Sequence, residues 1–347
     1  MSSEELHRQR LVQYLKAVGY VRSRPVEEAF SRVPRHFFVQ EYTSPAAAYL
    51  DEVVPLRPGI STSSQPSVMA LMLEALGVQP GERVLEVGTA SGYGAALLAE
   101  LVGKEGEVWT VELEEDLARR AERKLAQAGY DWVRVIAGDG LRPHVPPGSL
   151  DRLVVTAAVE FCPRAWVDQL RPGGVLVLPL AVPGVTSFLY RAEKVSSGGG
   201  ATASGGEAGG PVLEGRFYGV PVAFVSLRRG DAGGRKGAAE PGRLEWGEAW
   251  RRLEGLLAQE GQLLSWEEEL GLRLWTAWAA LDRAGRGEKV GPADFLASSF
   301  LSGWKRHGRP TPSGFRLQGW FARPAERAEE GPPWWWRCGD LWFRVDV

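Results

Sequence analysis

At 347 residues the chain can bury a full hydrophobic core and still carry a further module. Its 44% hydrophobic and 24% charged residues describe a folded globular protein, and a formal net charge of −2 excludes the basic excess of a dedicated nucleic-acid binder. No apolar run is long enough to cross a membrane, the N-terminus has no signal-peptide core, and Cys162 and Cys338 stand in no metal-ligand spacing, so no membrane partner, no metal and a cytoplasmic setting are expected.

From His7 to Val39 the pattern is helical. Leu11, Val12, Leu15 and Val18 recur at three- and four-residue steps up to Gly19, and Val26, Ala29, Phe30 and Val33 form a second amphipathic turn stopped by Pro34. VPRHFFV then leads into a loop-like stretch, Glu41 to Pro58, with His36 as a structural residue at the helix exit. The hydroxyl-dense ISTSSQP, Ile60 to Pro66, precedes a helix predicted over Ser67 to Leu76. Serines and threonines in such a place usually cap the helix, and that reading stands beside a functional one.

The centre of the chain is RVLEVGTASGYGAA. A buried strand, Arg83 to Val87, feeds the small-residue turn Gly88-Thr89-Ala90-Ser91-Gly92, and a helix follows from Tyr93 to Leu101. Strand, glycine turn and helix in this order bring backbone close to a nucleotide-like ligand. Four more strands are predicted: Glu107 to Val111 ending in Glu112, Trp132 to Ile136 ending in Gly138-Asp139-Gly140, Arg152 to Thr156, and Val175 to Leu178. Between them lie helices over Glu114 to Ala128 and Pro163 to Leu170, with a turn at Pro172-Gly173-Gly174. Apolar strands alternating with helices imply a parallel sheet covered on both faces, and right-handed crossovers put every strand C-terminus on one edge. Gly88, Glu112, Asp139 and Thr156 all fall on that edge, where open α/β sheets bind ligands.

Antiparallel strands over Thr186 to Lys194 and Arg216 to Leu227 would close the sheet, separated by a flexible Gly/Ser-rich loop at 196–210. A similar stretch, Arg229 to Gly242, ends the first domain. The division expected is a helical and loop segment at 1–60, a core at 61–230, a linker at 231–242 and a further region at 243–347. Of the 14 tryptophans, eleven lie in that last region. One helix there has a stripe of Trp246, Trp250, Leu253, Leu256 and Leu257. A second opens on a capping box, Ser265 with Glu268, and carries Trp266, Leu270, Leu274, Ala277, Trp278 and Leu281. A third helix is predicted over Pro292 to Trp304, and the tail WWWRCGDLWFRVDV alternates like a strand pair around Gly339-Asp340. Tryptophans at helical spacing read as core, giving a small α+β region without assignable chemistry.

A carboxylate accepts two hydrogen bonds, so Glu112 suits the ribose hydroxyls of an adenosine-containing ligand and Asp139 an exocyclic amine. Glu112 lies about twenty residues past the glycine turn, which also fits a dinucleotide dehydrogenase. The turn itself lacks the GxGxxG spacing that seats a pyrophosphate and holds no cationic side chain; it is similar to the looser turn that methyltransferases wrap around S-adenosylmethionine.

Taken in order, VPRHFFV, TSSQP, VLEVGTASGYGAALLAEL, GDG, VVTAA, QLRPGG and VLVLPL resemble the protein-L-isoaspartate (D-aspartate) O-methyltransferase family over roughly residues 5–230, with a short match at Phe224 to Leu227. The resemblance implies a class I methyltransferase, Rossmann-like α/β with a seven-stranded, mostly parallel sheet. It also implies S-adenosylmethionine as donor and a protein or peptide acceptor carrying an altered aspartyl residue. Glu86, Gly88, Ser91 and Gly92 match the methionine-side motif, Glu112 the ribose carboxylate, and Asp139 with Gly140 the adenine edge. Thr62 and Ser64 match the catalytic hydroxyl pair, with Ser63 between them where the family usually has isoleucine. Thr156, Ala157 and Ala158 match the strand end bordering the acceptor. Ala90 stands where glycine is usual, and LRPGIS replaces the family's IGHGQ wording with one extra residue. The acceptor carboxylate, of pKa about 4, is already ionised at neutral pH, so Ser64 is expected to orient it rather than activate it.

Bacterial relatives of this family that methylate aspartates of ribosomally made peptides also carry a Ser-rich SSQP and a C-terminal extension, which leaves a dedicated peptide aspartate as an alternative acceptor. A non-catalytic binding protein on a methyltransferase scaffold is a further alternative. A nucleic-acid amino-methyltransferase would need an Asn/Asp-Pro-Pro-aromatic run where Thr156-Ala157-Ala158 stands.

Overall fold

A computed structural model describes residues 2–182, 186–195 and 212–228, and within 265–346 residues 265, 268, 272–275, 278, 304–307, 310, 311, 315–320, 334–338 and 341–346. Contact density groups the chain into two units, one of Met1–Val159, Ala165–Pro179 and Val222–Ala232, the other of Glu160–Arg164, Leu180–Pro221 and Gly233–Val347. These differ from the linear division into 61–230 and 243–347, because residues 180–221 group with the C-terminal region.

The first unit opens with helices α1 (Ser3–Ala17), α2 (Arg24–Arg32) and α3 (Arg35–Val39). In α1 the buried stripe is Leu11, Val12 and Leu15, while Val18, expected to continue it, is the C-cap and stands exposed because the helix ends before it. In α2 the stripe is Val26, Ala29 and Phe30, as the periodicity predicts. His36 meets the Tyr49 hydroxyl through Nδ1 at 2.8 Å, a structural contact. Arg35 is fully buried, its guanidinium 5.2 Å from the centre of the Tyr93 ring, and burial lowers its pKa.

The stretch expected as loop contains a strand. β1 (Val54–Arg57) pairs antiparallel with β2 (Ser61–Ser63), matching Pro55 to Thr62 and Arg57 to Ser61. Prolines at 55 and 58 read as loop, yet a proline is tolerated on the free edge of a two-stranded ladder. Helix α4 (Pro66–Leu76) follows, and its N-cap, Gln65, makes no side-chain capping bond. Asp51 takes that role from outside the segment: its Oδ1 accepts from the Ser67 N–H at 2.8 Å and its Oδ2 from Gln65 Nε2 at 3.1 Å. The hydroxyls of Thr62, Ser63 and Ser64 are therefore not the cap.

β3 (Arg83–Val87), α5 (Tyr93–Val102), β4 (Glu107–Glu112), α6 (Glu115–Gln127), β5 (Arg134–Ala137), β6 (Leu150–Val155), α7 (Arg164–Gln169) and β7 (Leu170–Val182) complete the alternation. In this unit the strands run β5-β4-β3-β6-β7, all neighbours parallel. β3 shows why: Val84 to Val87 are buried on both faces, as a strand covered by helices on two sides must be. β5 begins at Arg134 rather than Trp132, because Val133 N–H turns back to the Tyr130 carbonyl at 3.1 Å. The Pro172-Gly173-Gly174 turn is a bulge inside a longer β7: the partner of Leu150 is Leu170, while that of Arg152 is Val175.

In the second unit Leu180–Val182 is followed in the sheet by β8 (Thr186–Lys194), β9 (Leu213–Val222), β10 (Arg316–Trp320), then β12 (Leu341–Asp346) and β11 (Trp334–Cys338). β9 ends at Val222 instead of continuing to Leu227, one residue after Pro221, which has no N–H for a ladder. The tail is the expected pair, Cys338 opposite Leu341. The capping box forms in both directions, Glu268 N–H to Ser265 Oγ at 3.2 Å and Ser265 N–H to Glu268 Oε2 at 3.0 Å. Trp275, Trp278 and Trp304 are buried, and Trp278 stacks on Phe217 with ring centres 6.2 Å apart, so these tryptophans are core. The helix with the Trp246 stripe, the loops at 196–210 and 229–242, and all but the end of the third helix lie outside the described residues. Among the described residues no helix is long and apolar enough to cross a membrane.

Candidate functional site

The C-terminal ends of β3, β4 and β6 open on a cleft of about 600 Å³, its mouth included. Gly88 and Ala90 of the glycine turn, Glu112 at the end of β4, Gly140 after β5, and Thr156 with Ala157 after β6 line it. Ile60, Ser61 and Thr62 of the hydroxyl hairpin form one wall; Val225, Ser226, Leu227 and Arg228 form another.

The lining residues at the ends of β3, β4 and β6 are held by hydrogen bonds between those strands. Gly88 donates its N–H to the Val111 carbonyl at 2.9 Å and adopts φ +106°, and the Thr156 hydroxyl donates to its carbonyl at 2.8 Å. Ala90 is the one non-glycine with positive φ among the described residues, at +49°. Its strained backbone is held by its N–H donating to Glu112 Oε2 at 2.8 Å. Glu112 is 7% exposed, and its Oε1 accepts from the Glu114 N–H at 3.1 Å. Two of the four acceptor sites of this carboxylate thus anchor backbone, and two remain for hydroxyl donors of a ligand.

Several residues marked in the sequence lie outside the lining, with other work. Glu86 is 2% exposed beneath the turn, where it accepts from the Thr110 hydroxyl at 2.6 Å, and Thr110 in turn meets the Thr89 hydroxyl at 2.7 Å. Gly94 leaves room for it: a Cβ there would come within 2.2 Å of Glu86 Oε1. Ser91 is buried, with Oγ accepting from the Tyr93 N–H at 3.4 Å, and Gly92 closes the turn with its N–H on the Thr89 carbonyl at 2.9 Å. Asp139 holds its own loop, Oδ1 accepting from the Leu141 N–H at 2.9 Å, while His144 Nε2 meets its carbonyl. Ala158 braces the second wall. Its N–H donates to the Val225 carbonyl and its carbonyl accepts from the Leu227 N–H, both at 2.9 Å.

Burial alternates along the hairpin, with Ser61 and Ser63 buried and Thr62 and Ser64 half-exposed, and both Ser61 and Thr62 reach the cleft lining. Ser64, just past the end of β2, is not among the lining residues. Ser63 is 3% exposed, and its Oγ has no hydrogen-bond partner. A buried unsatisfied hydroxyl costs about 1–3 kcal/mol, which explains why an aliphatic residue suits this position better.

Sequence reasoning missed the wall at Val225 to Arg228 and the lining role of Ser61. The alternation at Phe224 to Leu227 was visible, but it reads as the tail of β9 rather than as a segment returning to the end of β6.

Burial pushes the Glu86 carboxyl up to about 8, the nearby Glu112 charge adds to the rise, and the Thr110 hydroxyl opposes it. Since this folded-state value exceeds the unfolded one, the folded protein binds the extra proton between them, and the contribution of Glu86 to stability falls as pH rises through that window. We expect Glu86→Gln in the free protein to flatten this slope: the Tm advantage of the variant should grow between about pH 5 and about pH 8.5. Parallel Tm–pH curves for the two proteins would refute it.

The model of the family described as "Protein-L-isoaspartate(D-aspartate) O-methyltransferase (PCMT)" matches residues 6–201. A protein-L-isoaspartate O-methyltransferase of Ignicoccus hospitalis is 41% identical over 194 residues, 56% of this chain and 91% of the relative. That of Methanopyrus kandleri is 45% identical over 174 residues, 50% of this chain and 76% of the relative. A solved protein-L-isoaspartate O-methyltransferase shares the fold with a TM-score of 0.60 at 22% identity, over 98% of this chain and 99% of its own. A Plasmodium falciparum structure titled as a putative member, in complex with S-adenosyl-L-homocysteine, gives 0.53 at 23% identity over 64% of this chain and 98% of its own.

Proposed function

Because the chain belongs to the protein-L-isoaspartate(D-aspartate) O-methyltransferase family, we propose that the cleft at the ends of β3, β4 and β6 is where it binds S-adenosylmethionine and presents the acceptor carboxylate. The family reaction is S-adenosylmethionine-dependent methylation of isoaspartyl residues in proteins. The residues present suit the donor. Glu112 keeps acceptor sites for ribose hydroxyls, the Gly88 to Gly92 turn exposes backbone without a Cβ at Gly88, and no phosphate-seating motif competes. When bound, S-adenosylmethionine supplies an electrophilic methyl carried on a sulfonium.

The protein's own residues bind, orient and shield. Glu112, Gly88, Ala90 and Gly140 form the donor half of the cleft, with Asp139 shaping the loop at its adenine side and Glu86, Ser91 and Gly92 bracing the turn from beneath. Thr62 lines the acceptor half and Ser64, two residues on and outside the lining, would reach it from the end of the hairpin; Thr156 and Ala157 border it, and Ser63 and Ala158 support the two walls. An isoaspartyl carboxylate arrives ionised, so these hydroxyls need only fix one oxygen in place; well-oriented reactants gain about 7–11 kcal/mol of barrier lowering. Burial between the hairpin and the Val225 to Arg228 wall removes competing water.

The observation that carries this reading is that Glu112 and Thr62, far apart in sequence, line one cleft. Mass spectrometry of paired peptides tests it: the full-length protein with S-adenosylmethionine should add one methyl to an isoaspartyl peptide and none to its aspartyl counterpart. Comparable methylation of the aspartyl peptide would shift the acceptor to a dedicated peptide aspartate, which the relatives do not favour.

A further inference from the structure

The two walls of the cleft are tied together by one carboxylate that the family resemblance does not include. Glu114 stands two residues past Glu112, as the N-cap of α6. Its main-chain N–H donates to Glu112 Oε1 at 3.1 Å. Its side-chain Oε2 accepts from Arg57, at the end of β1, at 2.7 Å, and its Oε1 accepts from Arg228 at 2.8 Å. Arg57 also pairs with Asp116. Two guanidinium groups and two carboxylates balance, so the group is closed on itself rather than awaiting an external anion.

Among the described residues both elements joined by Glu114 have few other ties, the Arg57–Asp116 pair being one. The hairpin has two short strands, and two strands alone are marginally stable in water. Among the described residues the Val225 to Arg228 segment has a single bridge, at Ala158. Elements with few ties of their own open most easily, and a charge-assisted contact at such a place changes the population of the closed arrangement.

We propose that Glu114 is a positioning residue: by gripping Arg57 and Arg228 it holds the hydroxyl hairpin and the facing wall at one spacing, and so sets how well the acceptor engages. It rests on the reading of the cleft as a methyltransferase site. Glu114 touches neither reactant. Its link to Glu112 is made by backbone, so loss of its side-chain charge leaves the donor half intact.

Glu114→Gln in the full chain tests it, since the amide keeps the size and loses the charge. Hydrogen exchange should quicken at Val54 to Ser63 and Val225 to Arg228 and stay unchanged in β3 and β4. The KM for an isoaspartyl peptide should rise about fivefold to twentyfold, while the affinity for S-adenosylhomocysteine, by calorimetry, stays within about twofold. Moderate salt, which screens half-exposed pairs, should raise the wild-type KM towards that of the variant and move the variant less, since only its Arg57–Asp116 pair remains to be screened. Glu114→Asp, which keeps the charge, should restore part of the loss. Unchanged exchange at both segments overturns the proposal, and so does a KM with wild-type value and salt dependence. A wild-type protein that binds S-adenosylhomocysteine but methylates no isoaspartyl peptide overturns the site reading instead, and the exchange result then still decides the grip.

Discussion

Gly88→Ala should abolish binding of S-adenosylhomocysteine and lower stability by about 2–4 kcal/mol, the sum of two independent penalties. The first is conformational. Gly88 sits at φ +106°, where an L side chain is strained by about 1–2 kcal/mol. The second is steric. The added Cβ would lie 2.3 Å from Thr156 Oγ1, and that hydroxyl cannot swing away freely because it donates to the Gly88 carbonyl at 2.8 Å and stands 3.1 Å from that of Val87. Relief requires β3 and β6 to separate at the edge where the cleft opens, which displaces Ala157 together with the glycine turn. Urea unfolding and calorimetry read the two consequences. A wild-type midpoint in the single variant would show that the edge yields and would sink the argument. Thr156→Ala in the Gly88→Ala background makes the apportionment testable: it should recover the steric part and leave the φ penalty.

That prediction was reachable from the sequence only in part. The strand, turn and helix around Gly88 were legible because each has its own signature: a β-rich apolar run, a cluster of small residues, then an apolar helix that begins at Tyr93. The same holds for Glu112, Gly140 and Thr156, since a residue that ends a parallel strand must reach the ligand edge. What periodicity does not convey is the direction in which a side chain turns once there. Glu86 reads as a ligand contact, yet it is closed under the turn by Thr110; Asp139 lies outside the cleft lining, where its Oδ1 accepts from the Leu141 N–H. The cap of α4 was illegible for another reason. Ser64 and Thr62 stand in the usual place, but the bond comes from Asp51, and a cap supplied by a remote residue leaves no local pattern. The wall at Val225 to Arg228 was hidden likewise, because its single bridge to Ala158 follows a strand that Pro221 cuts short.

The correction at α4 strengthens the second large expectation. With capping assigned to Asp51, the hydroxyl of Ser64 is not used as the cap, and the residues on either side of it are tied to β1 and to Asp51. The ladder of β2 ends at Ser63, opposite Val54, and Gln65 is anchored to Asp51 at 3.1 Å. Ties on both sides limit how far the backbone at Ser64 can move, which favours a hydrogen bond that orients a reactant at the moment of reaction. Ser64→Ala should therefore lower kcat on an isoaspartyl peptide by about 10–100-fold, less than the loss of a group that must also move a proton, because the acceptor is already ionised. S-adenosylhomocysteine affinity and Tm should match the wild type, since Ser64 is outside the donor half and caps nothing. Thr62→Val, which trades a hydroxyl for a methyl of equal size, separates the two hydroxyls: Thr62 lines the cleft, so its loss should weigh on acceptor KM, whereas that of Ser64 should weigh on kcat. Wild-type turnover in Ser64→Ala, with the loss moved entirely to Thr62→Val, would place the acceptor carboxylate two residues back along the hairpin, at Thr62.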